Sequence, residues 1–304
     1  MSDKYSFYQG DKEYPVSGEE GTMFHTYPDG HFPARYRCRQ TNVTRIGGVP
    51  TFNSEIRKEY IVNYIPEKNS AHCQLQDYVF QADPKAFELP LEEMKPLEYS
   101  KENVSFEISD TGTISSIQNF RELQERWSAF RKKFTNTFFY QDIKKVNEKA
   151  ADDILKTGDK EFSTIAELLR SYEKNMFYHI LFKDYRPSNK SDSLTFMSQI
   201  FNDQKLNIPI VNSKASDKDG ILIYRSVGSP DLKKMNKDEM IRQYDRIYKP
   251  VIKYNFTEYN YEYRIRRYVN KKDGIITSAK AVMIERIKNN YELISQFDLK
   301  QVAL

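Results

Sequence analysis

Hydrophobic and polar positions alternate with a period near two over residues 34–117, and this alternation predicts β-strands. The turn-forming segments GGVP and PEKNS interrupt the alternation, and a later turn falls at Thr111-Gly112. The strand-like runs are ARYRCRQTNVTRI, EIRKEYIVNYI, AHCQLQDYVFQA and VSFEISDTGTISSI. Because short loops join antiparallel neighbours, the pattern predicts an antiparallel meander.

Over residues 118–182 the apolar positions instead recur three and four apart, which predicts amphipathic helices. Three apolar stripes carry the pattern: Phe120, Leu123, Trp127, Phe130 and Phe134; Ile143, Val146, Ala150 and Ile154; and Phe162, Ile165, Leu169, Tyr172 and Met176. Gly158 is predicted to end the second helix. The stripes are too short for a coiled coil, so we expect helices packed on a sheet or on each other.

Residues 183–304 return to a strand-rich pattern that includes short helices. Residues 187–220 look mostly irregular, with a short helix around 194–201, and DGILIYRSV predicts a strand. KDEMIRQYDRIY predicts a helix that Pro250 closes or closely follows, before a closing sheet over residues 251–300.

Together these patterns predict an α+β fold. Antiparallel β-sheet segments, at about 34–117 and 205–304, flank a helical block at 118–182. The sheet segments form either two lobes or one continuous sheet, in which case residues 183–304 and 34–117 belong to one domain.

The stretch YEYRIRRYVNKKDGIITSAKAVMIERI, residues 261–287, predicts a hairpin whose register is constrained by charge. A two-residue loop at Asp273-Gly274 would set Glu262 opposite Glu285, and directly opposed like charges are unfavourable. A four-residue loop sets Tyr263 opposite Val282 instead and is preferred, with the two-residue loop as the alternative. In both registers one face is predicted to form the core: Tyr261, Tyr263, Ile265, Arg267, Val269, Val282, Ile284, Tyr291, Leu293, Phe297 and Leu299.

The opposite face of this hairpin carries Arg264 and Arg266, and acidic residues of the following strand lie near them. Residues 251–304 hold ten Lys or Arg and six Asp or Glu, a charge of +4 that equals the net charge of the whole chain. A surface that follows a phosphate backbone needs a field of one sign. Nucleic-acid binding is therefore only the third hypothesis, through Arg264, Arg266, Arg267, Lys271 and Lys272.

The composition indicates a folded chain with a large polar surface. Of the 304 residues, 39% are hydrophobic and 30% charged, and 22 Tyr and 19 Phe accompany a single Trp. A disordered chain would be poor in aromatic residues. Residues 1–33 combine Gly, Pro and Asp with several aromatics, so they predict an irregular arm that packs on the body or on another subunit.

The first residues, MSDKYSFYQGDKEY, lack the apolar run of a signal peptide, and no stretch of about 18 apolar residues predicts a membrane span. The sequence therefore predicts a cytoplasmic location. Cys38 and Cys73 form no C-x-x-C pair, and their spacing leaves open whether they are free thiols or one disulfide bridge.

Residues capable of metal ligation occur at no standard spacing. They are His25, His31, Cys38, His72 and Cys73. The DKDG segment at 217–220 fails as a calcium loop, because its fifth and twelfth positions are Ile221 and Gly228. Phosphate-binding glycine loops, zinc-protease motifs and nucleophile elbows do not occur in the sequence. The sequence thus predicts no metal, cofactor or catalytic residue.

These observations favour a non-catalytic binding or structural protein that contacts a partner protein or a second copy of itself. It would act through Tyr-rich surfaces and the aromatic arm, with Tyr5, Phe7, Tyr8, Tyr14, Phe24, Arg264, Arg266 and Tyr268 as contact residues. The alternative is an enzyme or small-ligand carrier with a cavity between sheet and helices. In outline, a strand-rich body with a helical insertion resembles the half-barrels of lipoprotein carriers, although no motif carries the likeness and it assigns no residue a role.

Overall fold

The computed structural model of the chain describes residues 32–187, 192–201 and 204–304. The strands are β1 Phe32–Ile46, β2 Val49–Ile65, β3 Ser70–Asp83, β4 Asn103–Ile108, β5 Ile114–Ile117, β6 Asp192–Met197, β7 Lys205–Lys218, β8 Ile221–Gly228, β9 Tyr259–Asn270, β10 Ile276–Ile287 and β11 Tyr291–Val302. The helices are α1 Glu88–Lys101, α2 Phe120–Phe134, α3 Phe138–Val146, α4 Glu148–Glu161, α5 Ile165–Lys174, α6 Met176–Phe182, α7 Lys237–Ile247 and α8 Lys249–Ile252.

All the strands of the described residues belong to one antiparallel sheet, in the order β5-β4-β3-β2-β1-β11-β10-β9-β8-β7-β6. The structure therefore confirms a fold that mixes helices with an antiparallel sheet. The predicted arrangement, in which two sheet segments flank a helical block, is not confirmed. The two segments meet instead, because β1 pairs with β11 along its length from Arg35 to Ile46.

The short helix α6 is buried on every side, from Met176 to Phe182. It packs on one face of the sheet, here called the inner face, largely through aromatic rings. The Phe177 ring stacks on Tyr60 of β2 with centroids 3.9 Å apart, and Tyr178 meets Phe106 of β4 at 5.3 Å. The space between the sheet and α6 is thus filled by ring contacts.

The segment after α6 links the two halves of the sheet. The Arg186 guanidinium donates to the carbonyl of Thr111 in the β4–β5 turn at 2.9 Å. Its neighbour Tyr185 packs on Tyr224 of β8, with ring centroids 5.1 Å apart.

Among the residues that the structure describes, more than half of the tyrosines are core residues. The buried tyrosines are Tyr36, Tyr60, Tyr78, Tyr140, Tyr172, Tyr178, Tyr244, Tyr259, Tyr261 and Tyr263. A tyrosine ring is apolar enough to fill a core, and its hydroxyl is accommodated where a partner lies within reach. The Tyr172 hydroxyl, for example, donates to the Lys101 carbonyl at 2.6 Å.

The hairpin of β9 and β10 adopts neither predicted register. A bulge between Ile276 and Ser278 shifts the pairing by one residue, so that Tyr263 lies opposite Met283 and Tyr261 opposite Glu285. A one-residue shift moves every side chain of a strand to the other face. Val282 and Ile284 therefore lie on the outer face of the sheet, and their assignment to the core face with Tyr261 was wrong.

Four further predictions of secondary structure were wrong. The segment around 194–201 contains strand β6 rather than a helix, and α1 lies inside the region predicted as a pure meander. The second apolar stripe is divided, because α3 ends at Val146 and α4 begins at Glu148. Gly158, predicted to end a helix, lies inside α4 and is buried.

The two cysteines are free thiols, and both are buried. In the sheet register, Cys38 lies opposite Lys58 of β2, whereas Cys73 lies opposite Val62 of the same strand. Four residues of extended strand cover about 13 Å, which is too far for a disulfide bridge.

Substitution of Gly158 by alanine is expected to destabilise the protein. A Cβ atom at this position would lie 2.2 Å from Cη2 of Trp127. That ring cannot easily move, because it stacks on Phe162 at 5.4 Å and its Nε1 donates to Asp159 at 3.0 Å. The overpacking should cost about 1–3 kcal/mol and outweigh the roughly 1 kcal/mol gain in helix propensity.

Urea denaturation would measure this change in the free energy of unfolding. Thr157→Ala, at the exposed neighbouring position in α4, is the control and should stay within about 0.5 kcal/mol of the original protein. A more stable Gly158→Ala protein would contradict the packing argument.

Candidate protein-binding groove

An open groove with a volume of about 550 Å³ lies between α1 and α3. Its lining consists of Leu89, Glu93, Phe138, Phe139, Asp142, Ile143, Val146 and Asn147. The side chain of Phe138 is 92% exposed and that of Val146 is 88% exposed, while Leu89 on the facing helix is also exposed. Large apolar side chains that are exposed side by side are typical of contact sites.

The start of α3 determines that Phe138 points outwards. Oγ1 of Thr137, the N-cap residue, accepts a hydrogen bond from the Tyr140 amide at 3.2 Å. Tyr140 is buried against Phe134, with ring centroids 5.5 Å apart. Residues two positions apart point to nearly opposite sides of a helix, so burial of Tyr140 turns Phe138 to solvent.

The other wall of the groove, α1, is anchored to the sheet by a buried ionic cluster, here named the Lys58 cluster. Lys58 Nζ on β2 donates to Glu98 Oε2 at 2.6 Å and lies 3.6 Å from Glu102 Oε1. Glu102 also accepts hydrogen bonds from Asn175 Nδ2 at 3.0 Å and from the Tyr178 hydroxyl. The end of α1 is thereby tied both to β2 and to the start of α6.

The two glutamates of the Lys58 cluster have pKa values shifted in opposite directions. Burial raises the pKa of Glu102, and the Lys58 charge only partly opposes that effect. Burial acts on Glu98 too, but the charge and hydrogen bond of Lys58 outweigh it and lower the pKa of Glu98. Burial also disfavours the charge of Lys58, yet the two carboxylates outweigh it and raise its pKa. Because these groups satisfy one another within the protein, we assign the cluster an anchoring role.

The charged residues that line the groove are both acidic. Glu93 lies on the α1 side and forms no ion pair with the described residues, whereas Asp142 on α3 pairs with Lys145 at 3.2 Å. The groove therefore combines an apolar floor with a carboxylate on each wall.

A second, smaller concavity of about 410 Å³ lies beside the β7–β8 ladder. It is lined by Pro209, Val211, Val227, Gly228, Ser229, Pro230 and Asp231. Val211 and Val227 are exposed, but both are less exposed than Phe138 and Val146. We therefore take the groove between α1 and α3 as the main candidate site.

The residues predicted from sequence lie elsewhere. Arg264, Arg266 and Tyr268 alternate along the outer face of β9, where Arg264 is exposed and pairs with Glu262 at 3.0 Å. Arg267, included in the nucleic-acid hypothesis, is buried on the inner face and cannot contribute to an outer surface. Tyr5, Phe7, Tyr8, Tyr14 and Phe24 lie outside the described residues.

Sequence reasoning missed the groove because its side chains resemble core residues. Ile143 and Val146 were assigned to an apolar stripe that continued to Ile154, as though one helix buried all three. The break at Asn147, whose Oδ1 caps α4 by accepting from the Ala150 amide at 3.0 Å, separates them. Asn is a preferred N-cap residue, so Asn147 was the available signal.

No group of three or more His, Cys, Asp or Glu side chains within 32–187, 192–201 and 204–304 is arranged to hold a metal ion. Over the same residues, no helix combines the length and the apolar character needed to cross a membrane. Comparison with models of known protein families gives no match, and comparison with curated proteins gives no similar sequence.

Proposed function

We propose that this protein is a non-catalytic binding or assembly protein, and that the groove between α1 and α3 is its contact surface for a partner protein. The observation that supports the proposal is the near-complete exposure of Phe138 and Val146 beside Leu89. Apolar side chains that lie next to one another in solvent are unfavourable. A partner that covers them removes their apolar surface from water, and this burial contributes to the free energy of binding.

The shape and charge of the groove suit an amphipathic helix. Two helices with apolar residues between them form a cleft into which the apolar face of a third helix fits, with anchors spaced three and four residues apart. Glu93 and Asp142 would lie beside the entering helix, so Lys or Arg next to the apolar anchors would complement them. The proposed partner segment is therefore a basic amphipathic helix.

Two other functions have weaker support. A small-ligand carrier or enzyme requires a cavity between sheet and helices, where the described residues instead pack ring against ring around α6. Nucleic-acid binding requires an outer face with a continuous positive charge. On that face Arg37 pairs with Glu59 at 2.8 Å and Arg286 with Glu262 at 3.0 Å.

Selection of displayed helical peptides against the full-length protein would test the groove. We expect selected peptides with apolar residues at helical spacing and basic flanks, and we expect Phe138→Asp to weaken their binding about tenfold or more. The substitution places a charge in the apolar lining of the groove without removing any buried contact, since Phe138 is already exposed.

Tyr254→Asp is the matched control, because Tyr254 is another exposed aromatic residue that does not line the groove. It should leave binding unchanged. Peptides that bind the Phe138→Asp and original proteins equally well would show that the groove is not the contact surface.

A further inference from the structure

The outer face of the sheet carries a small aliphatic cluster, here named the outer cluster, that is almost inaccessible to solvent. Val43 of β1, Ile294 of β11 and Ile284 of β10 lie directly opposite one another in one row. Their exposed fractions are 6%, 5% and 1%, and Val282 packs against them.

This row lies on the face away from α6. Along β1, Tyr36 contacts Phe177 of α6, and alternation therefore directs Val43 to the opposite side, where Arg37 and Arg39 are exposed. Among the described residues, the apolar side chains packed in the outer cluster all come from the sheet itself. The solvated face of an antiparallel sheet normally carries polar side chains, so an aliphatic row on that face points to a covering layer.

A polar atom beside the outer cluster also lacks a partner. Asn53 of β2 lies opposite Val43, and its Oδ1 atom is buried without a hydrogen-bond donor among the described residues. A buried acceptor in that state is costly, and an additional segment over this face could supply a donor.

The chain contains a segment whose charge and composition suit this face. Residues 1–31 hold two Lys and six Asp or Glu, a formal charge of −4; with +4 for the whole chain, residues 32–304 carry +8. Arg45 and Arg286 lie in the row next to the outer cluster, where both pair with Glu292 between them, at 3.2 Å and 3.9 Å. The aromatic residues of the segment could cover the aliphatic side chains, and its negative charge is opposite in sign to the net charge of residues 32–304.

The position of the segment also allows this contact. Residue 31 leads directly into β1, the strand that bears Val43. Val43 lies eleven residues beyond Phe32, or roughly 36 Å along the strand. A segment of 31 residues can extend on the order of 100 Å, so it can return over the sheet to the outer cluster.

We propose that residues 1–31 of the same chain cover the outer cluster, with Tyr5, Phe7, Tyr8, Tyr14 and Phe24 supplying the apolar contact. This intramolecular surface is distinct from the groove between α1 and α3. A partner protein, or residues 1–31 of a second copy, are the competing occupants that the test must separate.

Thiol labelling of full-length Val43→Cys protein tests the proposal. Cys38 and Cys73 are buried, so the introduced cysteine should dominate the reaction with a small disulfide reagent once it becomes accessible. We expect slow labelling in the otherwise unchanged chain. Replacement of the five proposed contact residues, Tyr5, Phe7, Tyr8, Tyr14 and Phe24, by serine should accelerate it on the order of tenfold or more, because the cover then opens.

Val227→Cys is the matched control, since Val227 is 48% exposed on the outer face of β8 and lies outside the outer cluster. It should label fast with or without the serine substitutions. If Val43→Cys does not fold, Ile294→Cys reports on the same row.

Two results would overturn the proposal. In the first, the serine substitutions leave the labelling rate of Val43→Cys unchanged. That result is expected if a partner protein covers the face, or if the side chains of the sheet alone bury the outer cluster. In the second, protection depends on protein concentration, which would assign the cover to a second copy.

Discussion

Substitution of Arg267 by alanine is expected to lower the free energy of unfolding by about 3–5 kcal/mol, because it leaves buried carbonyl groups without donors. The Arg267 side chain is 1% exposed. Its Nε donates to the Ile180 carbonyl at 3.1 Å, and one terminal nitrogen donates to Ser226 Oγ at 3.0 Å. The other terminal nitrogen lies 3.4 Å from the His179 carbonyl.

These contacts place a cation at the C-terminal end of α6. The last carbonyls of a helix have no partner within the helix and carry partial negative charge, so a guanidinium there both donates hydrogen bonds and complements the dipole. The Tyr185 ring covers the guanidinium at 4.9 Å. Since α6 is buried on every side, water cannot replace Arg267 at this end of the helix.

Arg264→Ala is the matched control for this experiment. Arg264 lies on the same strand, faces outwards and pairs with Glu262 in solvent, where an ion pair contributes about 0–1 kcal/mol. Urea denaturation of the two variants and the original protein would measure the difference. Equal losses for both variants would show that Arg267 does not support α6.

His179 is expected to make the stability of the protein depend on pH. Burial lowers its pKa to about 3, and the positive charges of Arg267 and Lys183 act in the same direction. The ring shares a hydrogen bond with the Tyr263 hydroxyl, at 2.6 Å from Nε2. The folded protein therefore holds His179 neutral at pH values where the unfolded chain is protonated.

The sign of the effect follows from that difference in proton binding. Above the unfolded pKa of about 6.5 both states are neutral, and His179 adds no pH dependence. As the pH falls from 6.5 towards 3, only the unfolded state gains the proton, so stability is lost. The loss between pH 7 and pH 5 should be about 2 kcal/mol.

The measurement compares the original protein with His179→Gln, which keeps a polar group near Tyr263 but does not titrate. The stability difference between the two proteins should decrease by about 2 kcal/mol from pH 7 to pH 5. His72→Gln is the comparison variant. Burial lowers the pKa of His72 too, but its ring is only half-buried, so the stability difference between His72→Gln and the original protein should change less between pH 7 and pH 5. A pH-independent difference for His179→Gln would contradict the buried neutral state.

Regular periodicity in the sequence was sufficient to predict much of the secondary structure. The stripe from Phe120 to Phe134 predicted α2, and the structure bounds that helix at those two residues. The turn before β11 lies at Asn289 and Asn290, and Asn289 adopts a positive φ of 64°, a conformation that asparagine tolerates. These elements were predictable because their determinants lie within a few residues of one another.

Helix α1 was not predictable in the same way. It contains Pro90 and Pro96, and its apolar residues form no clear stripe, so local rules argue against a helix. Its end is held by Lys58 and by Asn175, residues that are distant in sequence. Contacts made across the fold outweigh weak local preference.

The sequence by itself determined that the chain mixes antiparallel strands with amphipathic helices, because alternation and helical spacing are local properties. Tertiary structure decided the rest. One bulge after Ile276 determined which side chains of β10 point to the inner face of the sheet and which to the outer face. It thereby placed Ile284 in the outer cluster rather than in the core. Likewise, Phe138 and Val146 look like core residues in the sequence, and they are exposed only because the described elements leave no neighbour over them. Burial depends on which surfaces meet, and that is a property of the assembled chain.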